Sequence, residues 1–281
     1  MPITPSYFQQ TMPAISLPSD APPTTPTPTT NRPHPPNPPH HFPPPKLRLH
    51  LQDLSHDATT LFLSNIKASE DLPTLVQTVL HLLYPAPDSP RPGTRSITLV
   101  LRPYPGLAYT TGTDLDDDHK EIHLNLGYIA RQAPARARHE LLGVLCHELV
   151  HCFQWNAEGS APGGLIEGIA DWVRLNAGLA AGHWKREARG EWDAGYQHTG
   201  FFLQWLEERF GAGTVGRVNA CLRVGRWDEG RVFAECCGGM TVRRLWEEYR
   251  GEVGGGQQRE AGDEEARTVP TDTPPRLERE E

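Results

Sequence analysis

Residues 141–175 read LLGVLCHELVHCFQWNAEGSAPGGLIEGIADWVRL. Inside the apolar first part sits His147-Glu148-Leu149-Val150-His151, an H-E-x-x-H pattern. On an α-helix, positions four apart lie one turn above each other on the same face. His147 and His151 can therefore point two imidazoles at one metal ion. Glu148 sits about 100° round the helix from His147, near enough to reach a water on that ion. The bare pattern fixes only three positions, and the chain carries 13 histidines. Its flanks add weight. Leu141, Leu142, Val144, Leu145, Leu149, Val150 and Phe153 make a helix that would be buried. Buried polar groups without partners cost several kcal/mol, so His147, Glu148 and His151 must be satisfied there. Histidines merely hydrogen-bonded in a core would leave Glu148, Glu167 and Asp171 unexplained.

Ala161-Pro162-Gly163-Gly164 is a tight entry to a second helix, expected over roughly 165–177. Glu167 and Asp171 are four apart on it and share a face with Gly164 and Gly168. Glycines there remove bulk, which predicts that this helix lies close against the metal helix. Two histidines, one carboxylate and an open fourth position form a catalytic zinc set. The E-x-x-x-D spacing resembles the thermolysin-like arrangement, in which the Glu binds zinc and the Asp hydrogen-bonds a ligand histidine. On that pattern Glu167 is the metal ligand and Asp171 fixes the His147 tautomer and ring orientation. Spacing alone leaves the exchange of these two roles open.

Upstream, Lys46 to Leu51 alternates polar and apolar, the mark of a half-buried strand. Two helices are expected over 56–67 and 71–83, the second with Leu72, Leu75, Val76, Val79, Leu80 and Leu83 on one face. Strands follow over 96–101, near 107–110 and over 121–126, with an acidic turn at Asp114 to Asp118. That run lacks the spacing of a calcium loop. The strand 121–126 immediately precedes the metal helix, expected over about 134–155. It is read as an exposed edge that pairs with an extended peptide through main-chain hydrogen bonds. His123, within it, is not assigned as a ligand. Beyond residue 175 the chain reads as mostly helical, with segments over 193–210, from 213 and over 241–249. The fold class is α/β (α+β): a small mixed sheet, a zincin-type helix and a helical C-terminal half.

The termini differ in composition. Residues 1–45 hold sixteen of the 28 prolines, and such a segment cannot bury enough apolar surface to fold. A disordered extension is the expectation, in preference to a proline-rich ligand for a partner's groove. Residues 251–281 carry nine acidic and four basic residues, which predicts a disordered acidic tail. The folded domain is therefore placed at 46–250. The formal net charge of −8, with no basic patch among aromatics, argues against nucleic-acid binding. No run approaches eighteen apolar residues, so no membrane span is expected. No secretory signal is visible in the first thirty residues, which leaves the compartment cytoplasmic or unassigned. The five cysteines form no C-x-x-C pair and read as reduced packing thiols. A monomer is expected.

HELVHCFQWNAEGSAPGGLIEGIADWVRLNAG, followed by GHWKREARGEWDAGYQHTGFFLQWLEERFG, is similar to the plant and fungal basic secretory protein family of zinc peptidases. The likeness covers roughly residues 46–250 and is tightest over 140–210. Its specific pieces are the HExxH pattern, the APGGLIEGIADWVR block, His183-Trp184, and the segment 192–202 with Gly195-Tyr196 and Thr199. It implies one α/β metallopeptidase domain with Zn2+ held by the first two motifs, acting on peptides or proteins. The chain departs from the plant members in its acidic charge and in lacking a visible secretion signal. The expected chemistry gives Glu148 the role of general base and acid. A second donor for the developing oxyanion is also needed, with Tyr196 first and His198 and His183 behind it. The other reading of Tyr196 is core packing with its hydroxyl satisfied. A hydrolase of non-peptide amides would use the same residues, and a non-catalytic zinc or peptide-binding protein would keep the fold.

Overall fold

The computed structural model describes residues 41–113 and 116–267, with side chains through residue 254. Chain order is β1 (Lys46–Leu51), α1 (Asp57–Asn65), α2 (Ala68–Leu83), β2 (Ser96–Arg102), β3 (Ala108–Thr113), β4 (Asp116–Asn125), α3 (Leu126–Ala130) and α4 (Pro134–His151). It continues with α5 (Gly163–Asn176), α6 (Tyr196–Phe210), α7 (Thr214–Cys221), α8 (Glu229–Cys236) and α9 (Val242–Arg267). Among the described residues the strands form one mixed sheet of order β1-β2-β4-β3. β1, β2 and β4 are parallel, and β3 turns back antiparallel onto β4. β2, SITLVLR, is buried at five of its seven positions, because an inner parallel strand is covered on both faces.

The edge strand is not the one the sequence pointed to. Residues 121–126 fall within and just after β4, which lies between β2 and β3. The edge beside α4 is β3, and the two are packed together. Alternation along β4 reports a strand with two unlike faces, but says nothing about which neighbours flank it. His123 sits inside the sheet face, bonded to Arg102 Nε at 2.8 Å and to Glu121 Oε2 at 3.0 Å, with Tyr109 stacked on its ring.

The folded domain starts earlier than residue 46. Residues 1–40, most of the proline-rich segment, lie outside the described residues. Phe42, which the sequence assigned to the disordered extension, is 1% exposed in the core. Its N–H donates to Gln77 Oε1 at 3.0 Å and Gln77 Nε2 donates back to its carbonyl at 2.9 Å. Proline-rich composition hid one aromatic whose burial is worth about 1.5–3 kcal/mol. Phe42→Ala should cost about 3–5 kcal/mol and lower the melting temperature by roughly 10 °C. An unchanged thermal melt would return the boundary to residue 46.

At the other end, α9 continues past Tyr249 to Arg267. Trp205 Nε1 donates to Glu252 Oε2 at 2.7 Å, tying α9 to α6 beyond the expected boundary. The residue types in 257–267 (QQREAGDEEAR) include strong helix formers, which the overall acidity obscured. Residues 268–281 lie outside the described residues. No described helix is long and apolar enough to cross a membrane.

Two close approaches set the position of α5. A Cβ on Gly168 would collide with Thr199 of α6, and one on Gly164 with the backbone carbonyl of Asp193. On the α6 side, a Cβ on Gly200 would lie 3.2 Å from the Trp172 backbone nitrogen. The glycines on the Glu167 face therefore admit α6 and the segment before it, not α4 as the sequence reading had it. Between α4 and α5 the small residue is Gly143, whose Cβ would lie 2.6 Å from Arg174 Nε. Helical spacing shows that glycines share a face, but not which neighbour fills it.

Candidate metal centre and active-site cavity

α4 begins with Pro134 at its first turn, where a missing N–H costs nothing, and buries residues 143–150 without a break. It carries His147 and His151 one turn apart with their rings edge to face, centroids 4.9 Å apart. The chain then reverses through residues 152–162, where Ala157, Glu158 and Gly159 all take positive φ of 53°, 55° and 76°. This run of left-handed backbone is held from outside. Trp155 N–H donates to Asn219 Oδ1 at 3.0 Å, and Ala157 N–H to the Leu222 carbonyl at 2.9 Å. The reversal brings α5 back alongside α4 and delivers Glu167 to the histidines.

His147 Nε2 lies 3.0 Å from Glu167 Oε2 and 3.2 Å from His151 Nε2, and His151 Nε2 is 3.8 Å from Glu167 Oε2. On the other side of the His147 ring, Nδ1 is 2.7 Å from Asp171 Oδ1. A carboxylate there accepts, so Nδ1 carries the hydrogen, and neutral His147 presents a bare lone pair at Nε2. His147 Nε2 and Glu167 Oε2 then face each other as two acceptors, with His151 Nε2 3.2 Å from the first. A positive group between them relieves that opposition, and in the protein alone it is a proton. Burial opposes a charged His147, but its hydrogen bonds to Asp171 and Glu167 win and raise it to about 9. Burial, then the charge on His147, pushes His151 down to about 4. Glu167, despite its burial, is held below its ordinary value by the two histidines.

The same triangle suits a metal. Four ligands at about 2.0–2.1 Å in a tetrahedron stand about 3.3 Å from one another. The three separations of 3.0, 3.2 and 3.8 Å bracket that figure. Among the described residues these three are the group of His, Cys, Asp and Glu side chains whose ligand atoms converge closely enough to hold an ion.

Glu148 is buried beside the triangle, and its burial raises its carboxyl above the ordinary range. Thr110 on β3 reaches it, with Oγ1 2.7 Å from Glu148 Oε2 and 3.0 Å from the Glu148 carbonyl. One hydroxyl proton serves these acceptors in turn, and the contact fixes α4 against the edge strand. Sequence reading missed Thr110. A threonine in a strand carries no signal of its partner until the sheet edge is placed beside the helix.

Tyr196 opens α6 with a positive φ of 48°, directly after Gly195 at 90°. A non-glycine residue in that region costs of order 1–3 kcal/mol and marks a backbone held by its surroundings. Here the holding group is Thr199, whose Oγ1 accepts from Gly195 N–H at 2.9 Å and donates to the Trp192 carbonyl at 2.8 Å. The consequence is that the Tyr196 ring lies 6.1 Å from that of His147, 15° from parallel, while 56% exposed. Core packing is therefore not its environment. The charge of Glu167, then partial burial, raises its hydroxyl above its ordinary value, so it is a donor at neutral pH. His183 also borders the site. His198 faces the other way, 3.1 Å from the Glu191 carbonyl and against the Trp246 ring.

Thr110, His147, Glu148, His151, Glu167 and Tyr196 line one cavity of about 920 Å³, open along α4, α5, the start of α6 and residues 107–110. A family model described as "Peptidase of plants and bacteria", the BSP family, matches residues 44–249. The chain belongs to this family. It is thus a member of a peptidase family, and the BSP match runs from just before β1 into α9, with every residue of the cavity inside it. No curated protein and no solved structure matches this BSP chain.

Proposed function

We propose that the protein is a zinc-dependent peptidase in which His147, His151 and Glu167 hold the ion, Asp171 orients His147, and Glu148 moves the proton. The observation carrying this reading is the convergence of three ligand atoms, from His147, His151 and Glu167, with Glu148 buried beside them. When bound, zinc acidifies a water to about pKa 7 and polarises a carbonyl oxygen. Glu148 accepts the proton of the attacking water and passes it to the departing amine. Its raised affinity for protons suits a group that must take one and give it back. Thr110 keeps its carboxylate in place meanwhile. β3, bonded on one side only, offers an open edge to which an extended peptide adds as a strand.

Tyr196 supplies the second donor for the oxygen that becomes negative. Tyr196→Phe should lower kcat about 10²-fold with little change in KM, because the hydroxyl acts on charge that develops only in the transition state. Equal kinetics for the two proteins would remove Tyr196 from the chemistry. The reading as a whole is tested by metal analysis of the purified chain together with a cleavage screen on a mixed peptide library. About one zinc per chain and peptide products are expected. A chain that binds no zinc yet cleaves peptides, or holds zinc and cleaves none, would overturn it.

A further inference from the structure

Away from the triangle, the cavity continues between α4 and α5 into a lobe bordered by Tyr128, Arg136, Glu140, Arg174, His183 and Trp184. Arg136 and Glu140 lie on α4, and Arg174 lies on α5 three residues after Asp171. Both arginines share one acid. Arg136 Nε and Nη2 reach Glu140 Oε1 at 3.2 and 2.7 Å, and Arg174 Nη2 reaches Glu140 Oε2 at 3.3 Å. Arg174 also donates from Nε to the Leu179 carbonyl at 2.9 Å, and its guanidinium lies 4.9 Å from the Trp184 ring centre. Its side chain is only 10% exposed.

The donor count does not balance. Two guanidiniums bring about ten N–H groups, and the Tyr128 hydroxyl adds one more. Glu140 and one main-chain carbonyl take four of the guanidinium donors. The lobe carries two positive charges against one negative, and one of them, Arg174, is buried, where an unmatched charge is costly. Holding the loop at residues 179–184 explains the Leu179 and Trp184 contacts of Arg174 and the close approach of Arg136 to Gly182, but leaves the other guanidinium N–H groups without a protein acceptor among the described residues. The ligand that balances both donors and charge is an acceptor-only, singly negative group.

We propose that this lobe binds a carboxylate of the substrate, which makes acidic peptides the preferred class; the proposal rests on the peptidase reading above. Seven residues separate Glu140 from His147, and seven separate Arg174 from Glu167, about 10 Å of helix. An extended peptide covers that in roughly three residues, or in one or two plus an acidic side chain. The carboxylate therefore belongs to a Glu or Asp side chain within three positions of the cleaved bond, or to the chain terminus at that distance.

The experiment compares cleavage and binding of matched peptides by the full chain loaded with zinc. One arm exchanges Glu for Gln at each of three positions on either side of the bond, and the other exchanges a free C-terminus for its amide. The wild type should favour one carboxylate-bearing member by about tenfold or more in kcat/KM, the usual strength of a charge-assisted contact. Arg136 is half exposed, so Arg136→Gln and Arg136→Glu should fold. The first should bring the ratio near one, and the second should turn it toward Lys-bearing peptides. Arg174→Gln, checked for a native thermal melt, should also abolish it. A mere structural role would lower activity on all peptides alike and leave the ratio standing. If no peptide is cleaved, calorimetric binding of the same pairs decides. A tenfold preference for the carboxylate member supports the lobe even though the peptidase reading then fails, and equal binding overturns it. Cleavage with no carboxylate preference in either arm overturns the lobe alone.

Discussion

Glu148→Gln should reduce peptide cleavage by about 10²–10⁴-fold while the protein still holds its zinc. The amide has the shape of the carboxylate and keeps a partner in Thr110, whose Oγ1 is 2.7 Å from Glu148 Oε2. It cannot accept a proton at neutral pH, so the attack and the release of the amine both lose their carrier. Glu148 is not among the three converging ligand atoms, which is why metal content should be unchanged. The pairing of the two readouts is what makes the substitution informative. Loss of zinc together with activity would make Glu148 a ligand, and full activity would assign the chemistry to another group. Burial already lifts this carboxyl above its ordinary range, so Glu148→Ala is the poorer test, because it opens a cavity as well as removing the base.

The second large effect concerns the ion. His147→Ala and His151→Ala should each leave the purified chain with almost no zinc, because two remaining ligands do not make a site of useful affinity. The companion pair ranks the carboxylates. Asp171 touches Nδ1 of His147, the far side of the ring from the triangle, so Asp171→Asn should weaken zinc binding by about 10–100-fold. Glu167 has its Oε2 3.0 Å from His147 Nε2, inside the triangle, and Glu167→Ala should cost clearly more. Competition with a chromogenic chelator measures all four. Retention of stoichiometric zinc after both histidines are replaced would remove the metal centre from these residues, and a larger loss from Asp171→Asn than from Glu167→Ala would exchange the two roles.

Much of this site could be read without coordinates because its chemistry is local. His147, Glu148 and His151 lie within five consecutive positions, and Glu167 and Asp171 within five more, so helix geometry alone places each set on a face. Strong apolar periodicity likewise located β1, β2 and α2. The family followed from the same block of sequence, matched over residues 44–249. Everything that depends on which elements become neighbours had to wait for the tertiary structure. Strand alternation could not show that β3, not β4, is the sheet edge beside α4, because alternation reports faces and the edge is set by pairing order. The glycines of α5 could be seen to clear a face, but only packing shows that α6 enters it. Thr110 acquires a role solely because the sheet edge meets α4, and Tyr196 because a strained turn aims its ring at His147. Phe42 was lost among prolines, since composition averages over a segment while burial selects a single side chain. The sequence by itself determined the candidate groups and the helices that bear them. Long-range packing, whose contacts join residues tens of positions apart, decided what surrounds those groups and which parts of the cavity can choose a substrate.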